Sequence, residues 1–178
     1  MMNMKKIVIL CLLILITGCT LNRKSPQKSV EKYFMSYQKL DSYAQNNIDR
    51  LVENEETLTF NQKEKYKSIL KNHYKNLKYK IKKVKIINNN ATVLSEIEVN
   101  NNIRVLEKAE DNKTNFAENN QFSIEKFNDY IIDMLKKEKS KIKYEVLFNL
   151  HIENNDWIID DLSLSNQEKM LGIYKEYF

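Results

Sequence analysis

Apolar residues recur every three or four positions in three early stretches of the chain, at residues 30–40, 44–52 and 66–77. This spacing places them along one side of a helix and predicts three amphipathic α-helices. Ser25 and Pro26 precede the first stretch. Ser is favoured as an N-cap and Pro at the first helical position, so we expect the first helix to begin there.

After residue 78 the period of the pattern changes to two, which is typical of strands. The chain has only two glycines, and Asn is the next residue that best tolerates left-handed turn conformations. Two runs of three asparagines, at 88–90 and 100–102, are therefore predicted to be hairpin turns. The strands that they separate are predicted at residues 79–87, 91–99 and 103–108.

One more helix and two more strands are predicted beyond these turns. Residues 111–121 are polar and predict a loop, after which Ser123 is placed to cap a helix. Strict alternation predicts a strand at 143–152, and another follows at 157–164.

Two short patterns predict helix starts through a capping box, in which an N-cap side chain and an acidic side chain three residues later bond to the backbone. Asn61 with Glu64 predicts the start of the third helix. Ser165 with Glu168 predicts the start of a C-terminal helix.

This order of elements predicts an α+β fold with N-terminal helices packed on one face of a curved antiparallel sheet, an inserted helix and a C-terminal helix. The composition is sufficient for one core, because the 178 residues are 42% apolar and include one Trp, ten Tyr and seven Phe. No break in composition indicates a second domain. Residues 25–178 are therefore predicted to form a single domain.

The beginning of the chain has the pattern of an export signal. Lys5 and Lys6 precede an unbroken run of ten apolar residues at 7–16. A membrane-spanning helix needs about 20 apolar residues, so this run is too short to span and is predicted to be a signal peptide.

Ile16, Thr17, Gly18 and Cys19 end this run and resemble the lipobox of bacterial lipoproteins, in which an aliphatic and two small residues precede a cysteine. The resemblance implies that a signal peptidase recognises Ile16, Thr17 and Gly18. It also implies that Cys19 becomes the amino terminus and carries a diacylglycerol and an acyl chain. A plain secretory cleavage site and an uncleaved anchor are the alternative interpretations.

Lipidation of Cys19 would place the protein on the extracytoplasmic face of the cell membrane. The chain would then divide into a signal peptide at 1–18, a tether at 19–24 and the domain from residue 25. Cleavage removes Cys11 and the Cys19 sulfur becomes a thioether, so a disulfide, a thiol nucleophile and a cysteine metal cluster are excluded. Apart from the covalent lipid, no cofactor or metal is predicted, and export excludes nucleic acid as a natural partner.

Ser25 and Pro26 leading into residues 30–34, together with residues 39–41 and 156–161, resemble small extracytoplasmic lipoproteins with a nuclear transport factor 2-like domain. The resemblance implies a cone-shaped domain with helices over a curved sheet. That fold includes enzymes, transport adaptors and passive modules, so it assigns no activity by itself.

Ten lysines and one acidic residue lie between Lys63 and Lys85, in a chain whose net charge is only +5. On a lipid-tethered domain this segment could bind anionic lipid headgroups or an anionic wall polymer, whereas the alternative is a solvated face in a lysine-rich chain. The candidate contact residues are Lys71, Lys75, Lys78, Lys80, Lys82, Lys83 and Lys85.

Three aromatic residues, Tyr33, Tyr37 and Trp157, lie on predicted inward faces of their elements. They are candidates for lining a ligand cavity beneath the helices, and the alternative is that they are core residues. The chain would then be a non-enzymatic module of the cell envelope that binds a small apolar ligand or another envelope protein, and a passive accessory module is the alternative.

The remaining candidates for catalysis or metal binding are two histidines and two adjacent aspartates. His73 and His151 are both predicted to lie on the surface without a second metal ligand or a nucleophile at useful spacing, so no catalytic or metal-binding residue is predicted. Asp160 and Asp161 could supply an acid or base, and only one of two adjacent strand residues can point into a cavity. The alternative function is therefore a small isomerase-like or hydrolase-like enzyme that uses a carboxylate in a cone-shaped cavity.

Overall fold

The computed structural model describes residues 25–118 and 121–175, which form an α+β domain as predicted. The helices in these residues are α1 (Pro26–Lys39), α2 (Ser42–Glu53), α3 (Phe60–Lys75), α4 (Asn102–Asp111), α5 (Ile124–Lys137) and α6 (Leu164–Leu171). The strands are β1 (Lys78–Ile87), β2 (Asn90–Asn100), β3 (Ala117–Glu118), β4 (Gln121–Phe122), β5 (Lys141–Glu153) and β6 (Asp156–Ile159). A short 3-10 helix covers Lys113–Phe116.

Four antiparallel strands form the main sheet in the order β1-β2-β5-β6. The β1–β2 turn places Asn88 in the left-handed region at φ 55°, and the β5–β6 turn does the same with Asn154 and Asn155. The two turns are neighbours, because Ile152 N donates to Asn89 O at 3.0 Å. We call the end of the sheet that carries these two turns the turn end.

The core lies between one face of the sheet and helix α1. Alternate residues of β2 and β5 are buried against Val30 and Phe34 of α1. The Phe34 ring stacks on Tyr79 at a centroid distance of 4.4 Å and meets Phe148 edge-on at 5.3 Å. This aromatic packing holds α1 across β1 and β5.

Helix α1 crosses the sheet from the turn end to the opposite end. Near its start, Ser29 Oγ donates to Trp157 O at 2.9 Å, and Trp157 pairs with Ile152 beside the turns. Near its end, Gln38 Nε2 donates to Leu77 O at 2.8 Å, just before β1 begins. The amino terminus of the domain therefore lies at the turn end.

The predicted strand at 103–108 is wrong, because these residues belong to helix α4. Asn101 caps the helix by accepting from Arg104 N at 3.4 Å, so the second asparagine run is a helix start rather than a hairpin turn. Val105 and Ala109, four residues apart, are the buried side of α4.

Two predicted caps are also wrong, each by two residues. Thr59, not Asn61, caps α3, and it forms a complete capping box with Gln62. Ser163, not Ser165, caps α6 by accepting from Asn166 N at 3.3 Å. In both cases the N-cap side chain bonds to the backbone three residues later, as the motif requires.

The predicted surface position of His73 is wrong as well, because its side chain is buried where α6 ends. His73 Nε2 lies 2.8 Å from Met170 O, and Asn102 Nδ2 donates to Leu171 O at 2.8 Å. A carbonyl oxygen can only accept, so the Nε2 atom of His73 carries the hydrogen. Side chains of α3 and α4 thus satisfy the last carbonyl groups of α6.

Helix α6 also covers the side of strand β5 that faces away from β2, at the residues beyond the end of β6. Strand β6 pairs with β5 only between Leu150 and Glu153. Beyond it, Asn166 Nδ2 donates to Leu147 O at 2.9 Å and Lys169 Nζ donates to Glu145 O at 3.0 Å. These side-chain donors replace the missing strand and fix α6 beside the sheet.

Candidate functional site

A cleft of about 610 Å³ opens between the N-terminal helices, the segment after β6 and helix α6. Its wall is aromatic and aliphatic on the inside and charged at the rim. The aromatic residues are Tyr33, Tyr37, Tyr43 and Tyr74, and the aliphatic residues include Ile48, Leu51, Leu70, Leu162 and Met170.

The tyrosine rings of the wall contact one another. Tyr33 and Tyr37, one helical turn apart on α1, have ring centroids 5.1 Å apart, and Tyr43 lies 6.2 Å from each of them. Tyr74 of α3 lies 4.7 Å from Tyr37 on the other side. The helix spacing of α1 and the packing of α3 against it therefore build a continuous aromatic surface.

Burial keeps three tyrosine hydroxyls of this wall protonated. Burial raises the pKa of Tyr33, Tyr37 and Tyr74 above that of a free phenol. For Tyr33 the nearby Tyr37 raises it further. Tyr37 Oη accepts from Asn47 Nδ2 at 3.3 Å. The wall thus offers neutral hydrogen-bonding groups and ring faces to a ligand, rather than a phenolate base.

Charged groups stand at the rim of the cleft. They are Arg50 and Glu55 on the α2 side and Asp160 and Asp161 on the segment after β6. Three carboxylates against one guanidinium make the rim acidic. Together with aromatic ring faces, an acidic rim favours a ligand that is neutral or positively charged at one end.

Asp160 has a partner that the sequence did not predict. His151 Nδ1 lies 2.6 Å from Asp160 Oδ1, and His151 Nε2 lies 3.9 Å from Glu153 Oε2. The residues come together because Asp160 follows β6, which pairs with the end of β5 that carries His151. Both side chains of the pair are 44% exposed. The pair therefore stands in water at the rim rather than inside the cleft.

The structure places the three aromatic candidates in two different environments. Tyr33 and Tyr37 are part of the cleft wall, whereas Trp157 does not line it. The Trp157 side chain is buried in the core, opposite Ile152. Tyr43 was missed because it is 53% exposed and stands outside the buried stripe of α2.

The seven candidate lysines do not form one patch. Lys71 and Lys75 belong to α3, and the other five belong to β1. Lys78 pairs with Glu98 at 2.9 Å, and Lys82 pairs with Glu96 at 3.0 Å. These hydrogen bonds and charges hold the pKa values of Glu96 and Glu98 below the usual range. Of the seven candidates, Lys71, Lys75, Lys80, Lys83 and Lys85 have no acidic partner among the described residues.

The predicted lipidation residues Ile16, Thr17, Gly18 and Cys19 lie outside the described residues. In the part of the chain that is described, no helix is long and apolar enough to cross a bilayer. The same residues contain no cluster of His, Cys, Asp and Glu side chains that could hold a metal ion.

No protein-family model matches the chain, and no curated protein or solved structure matches it either. The resemblance to lipoproteins with a nuclear transport factor 2-like domain therefore stays a prediction.

Proposed function

We propose that this protein is a lipoprotein anchored to the extracytoplasmic face of the membrane through Cys19, and that its domain is a non-enzymatic binding module of the cell envelope. The observation that carries the binding role is the tyrosine-walled cleft between α1, α2 and α6. Its predicted ligand is a small molecule that packs an apolar face on the tyrosine rings and turns a neutral or cationic end toward the acidic rim.

The anchor is supported by the residues that precede the domain. Gly18 and Cys19 stand at the end of an apolar run that is too short to span, and only five residues separate Cys19 from Ser25, which caps α1. A diacylglycerol with an additional acyl chain gives stable attachment, whereas one chain alone binds reversibly.

The anchor is tested by substituting its cysteine. We expect the unaltered protein to incorporate labelled fatty acid and to sediment with membranes. Cys19→Ala should take up no label and should leave the lipidated membrane fraction, because it has no sulfur to alkylate. Cys11→Ala is the matched control and should behave as the unaltered chain does. Equal membrane retention of Cys19→Ala and the unaltered chain, without label in either, would contradict lipidation.

The cleft is tested on the full lipidated chain by native mass measurement after detergent extraction. We expect a non-covalent mass to accompany the protein. Tyr43→Ser should lower its occupancy about fivefold, since one aromatic contact contributes about 1 kcal/mol. Phe60→Ser is the matched control, because Phe60 is more exposed, at 78%, and does not line the cleft. An equal effect of both substitutions, or no bound mass, would argue against the cleft as the binding site.

One observation favours the alternative, a small enzyme that uses a carboxylate, and it is the His151–Asp160 contact at the rim of the cleft. Asp160→Asn and Asp161→Asn, made separately, distinguish the two functions. The binding module predicts that both substitutions weaken the ligand-dependent phenotype slightly and to a similar extent, because each removes one of the three carboxylates at the rim. Loss of the phenotype in Asp160→Asn alone would favour the enzyme.

A further inference from the structure

The tether and the β1–β2 turn emerge from the same edge of the domain. Ser25 lies one helical turn before Ser29, which contacts Trp157 O beside the turn end. Five residues link Ser25 to Cys19, and they reach at most roughly 20 Å when fully extended. If Cys19 is acylated, as the proposed function states, the turn end must therefore stay within that distance of the lipid.

The β1–β2 hairpin carries two large apolar side chains at this edge. Ile86 is 54% exposed and Ile87 is 55% exposed. Their strand partners are Ala91 and Asn90. Because adjacent strand residues point to opposite faces, one isoleucine side chain lies on each face of the hairpin near its tip. Ile86 and Ile87 are adjacent in sequence at the end of the domain nearest the tether, so they are the apolar side chains placed to reach a lipid surface that holds Cys19.

Two lysines without an acidic partner in the described chain, Lys83 and Lys85, precede these isoleucines. Lys28 in the first turn of α1 is also exposed, and Arg23 and Lys24 belong to the tether. The acidic residues of the turn end are Glu153 and Asp156 of the other hairpin and Asp160, which contacts His151. The basic groups therefore gather on the β1–β2 side and on the tether.

We propose that Lys83, Lys85, Ile86 and Ile87, which we call the hairpin tip, dock on the anionic lipid surface that holds the anchor. The isoleucines enter the boundary between headgroups and acyl chains, and the lysines contact headgroup phosphates. Docking of this end orients the sheet upright on the membrane, with Lys78 at the far end of β1 and with Lys71 and Lys75 in the last turns of α3, which ends just before that strand. Those three lysines then make no contact with the lipid.

The test uses the full lipidated chain in vesicles that contain anionic lipid and nitroxide-labelled lipid. A fluorophore is attached at Ile87→Cys or at Lys139→Cys. Lys139 precedes Ser140, which accepts from Asn101 N at the opposite end of the sheet. The two positions lie at opposite ends of the sheet, about 30 Å apart along the strands. We expect nitroxide lipid to quench the probe at 87 and to leave the probe at 139 unquenched.

Two pairs of variants examine the two parts of the contact. Substituting both Lys83 and Lys85 by Gln should lower the ratio of docked to undocked protein about thirtyfold on anionic vesicles, since each lysine near the surface contributes about 1 kcal/mol. Ile86→Ser should weaken quenching at position 87. Leu164→Ser is its control, because Leu164 is 71% exposed and lies in α6, outside the hairpin tip.

The outcomes separate the docking from the anchor. Protein that floats with the vesicles while both probes are quenched equally, or not at all, overturns the docking. Equal quenching on neutral vesicles also overturns the docking. Protection of the probe at 87 by a soluble anionic wall polymer, when vesicles give no protection, overturns it as well. Protein that does not float, or whose Cys19 takes up the fluorophore, contradicts the lipid anchor instead.

Discussion

Lowering the pH from 7 to 4 should reduce the free energy of unfolding by about 3 kcal/mol through His73 alone. Burial of the side chain lowers the pKa of His73 from 6.5 to about 4, and the charge of Lys141 adds to this effect, although the hydrogen bond to Met170 O opposes it. Each pKa unit corresponds to about 1.4 kcal/mol between the two protonation states.

The sign follows from proton uptake. Between pH 6.5 and 4 the unfolded chain binds a proton at His73 and the folded chain does not, so acid favours unfolding. A proton on Nδ1 would also oppose Asn102 Nδ2, a donor that lies 3.4 Å away. The contribution of neutral His73 to the free energy of unfolding is therefore fully present above pH 6.5 and is lost as the pH falls toward 4.

Urea unfolding across this pH range measures the effect. His73→Gln is the control, because its amide can still donate to the Met170 carbonyl but does not titrate. Carboxylates titrate in both chains, so the contribution of His73 is the difference between the two pH profiles. Parallel profiles down to pH 4 would show that His73 is not buried as a neutral group.

Gly172→Ala should destabilise the fold by about 3 kcal/mol, the second large effect. Gly172 ends α6 in the left-handed region at φ 72°, and a Cβ there would lie 2.1 Å from Asn100 O. The left-handed conformation alone costs an alanine about 1–2 kcal/mol. The clashing atom belongs to the backbone of β2, so it cannot rotate away, and α6 must move.

The same urea titration measures this loss, with Glu168→Ala as the matched control. That position lies in the same helix and already carries a Cβ, so its substitution tests only the change of side chain. Because α6 supplies Met170 and Leu171 to the cleft, the bound mass should also decrease in Gly172→Ala. Unfolding midpoints that coincide for the two variants would argue against the close contact with Asn100.

The elements with a long and regular pattern were predictable from sequence, and those that depend on a single cap were not. Helix α1 and strand β5 follow from strict periodicity over ten or more residues. Helix α4 was mistaken for a strand because residues 103–108 form a short stretch with only three apolar residues, which fits either period. The feature that identifies α4 as a helix is the Asn101 cap, and asparagine is also favoured in turns.

The wall of the cleft was partly predictable, and its rim was not. Tyr33 and Tyr37 belong to the apolar stripe of α1, so their inward position follows from spacing. The contact of His151 with Asp160 depends on the pairing of β6 with the last four residues of β5, which no local pattern specifies.

His73 was misplaced because lysines stand two residues away on both sides, at 71 and 75. A signal was present, however. His73 follows Leu70 by three residues and precedes Leu77 by four, which is the spacing of the buried side of α3. Residues two positions apart lie on different faces of a helix, so the lysines at 71 and 75 do not indicate which way the side chain of His73 points.

Among the described residues, strand β1 has a neighbouring strand on one side only, so its other edge presents backbone groups that a second copy could extend into a longer sheet. Confinement to a plane of lipid would raise the frequency of encounters between copies. Five of its ten residues are lysines, and like charges on two approaching strands repel each other. The lysines of β1 therefore disfavour the pairing of this edge with a second copy of the chain.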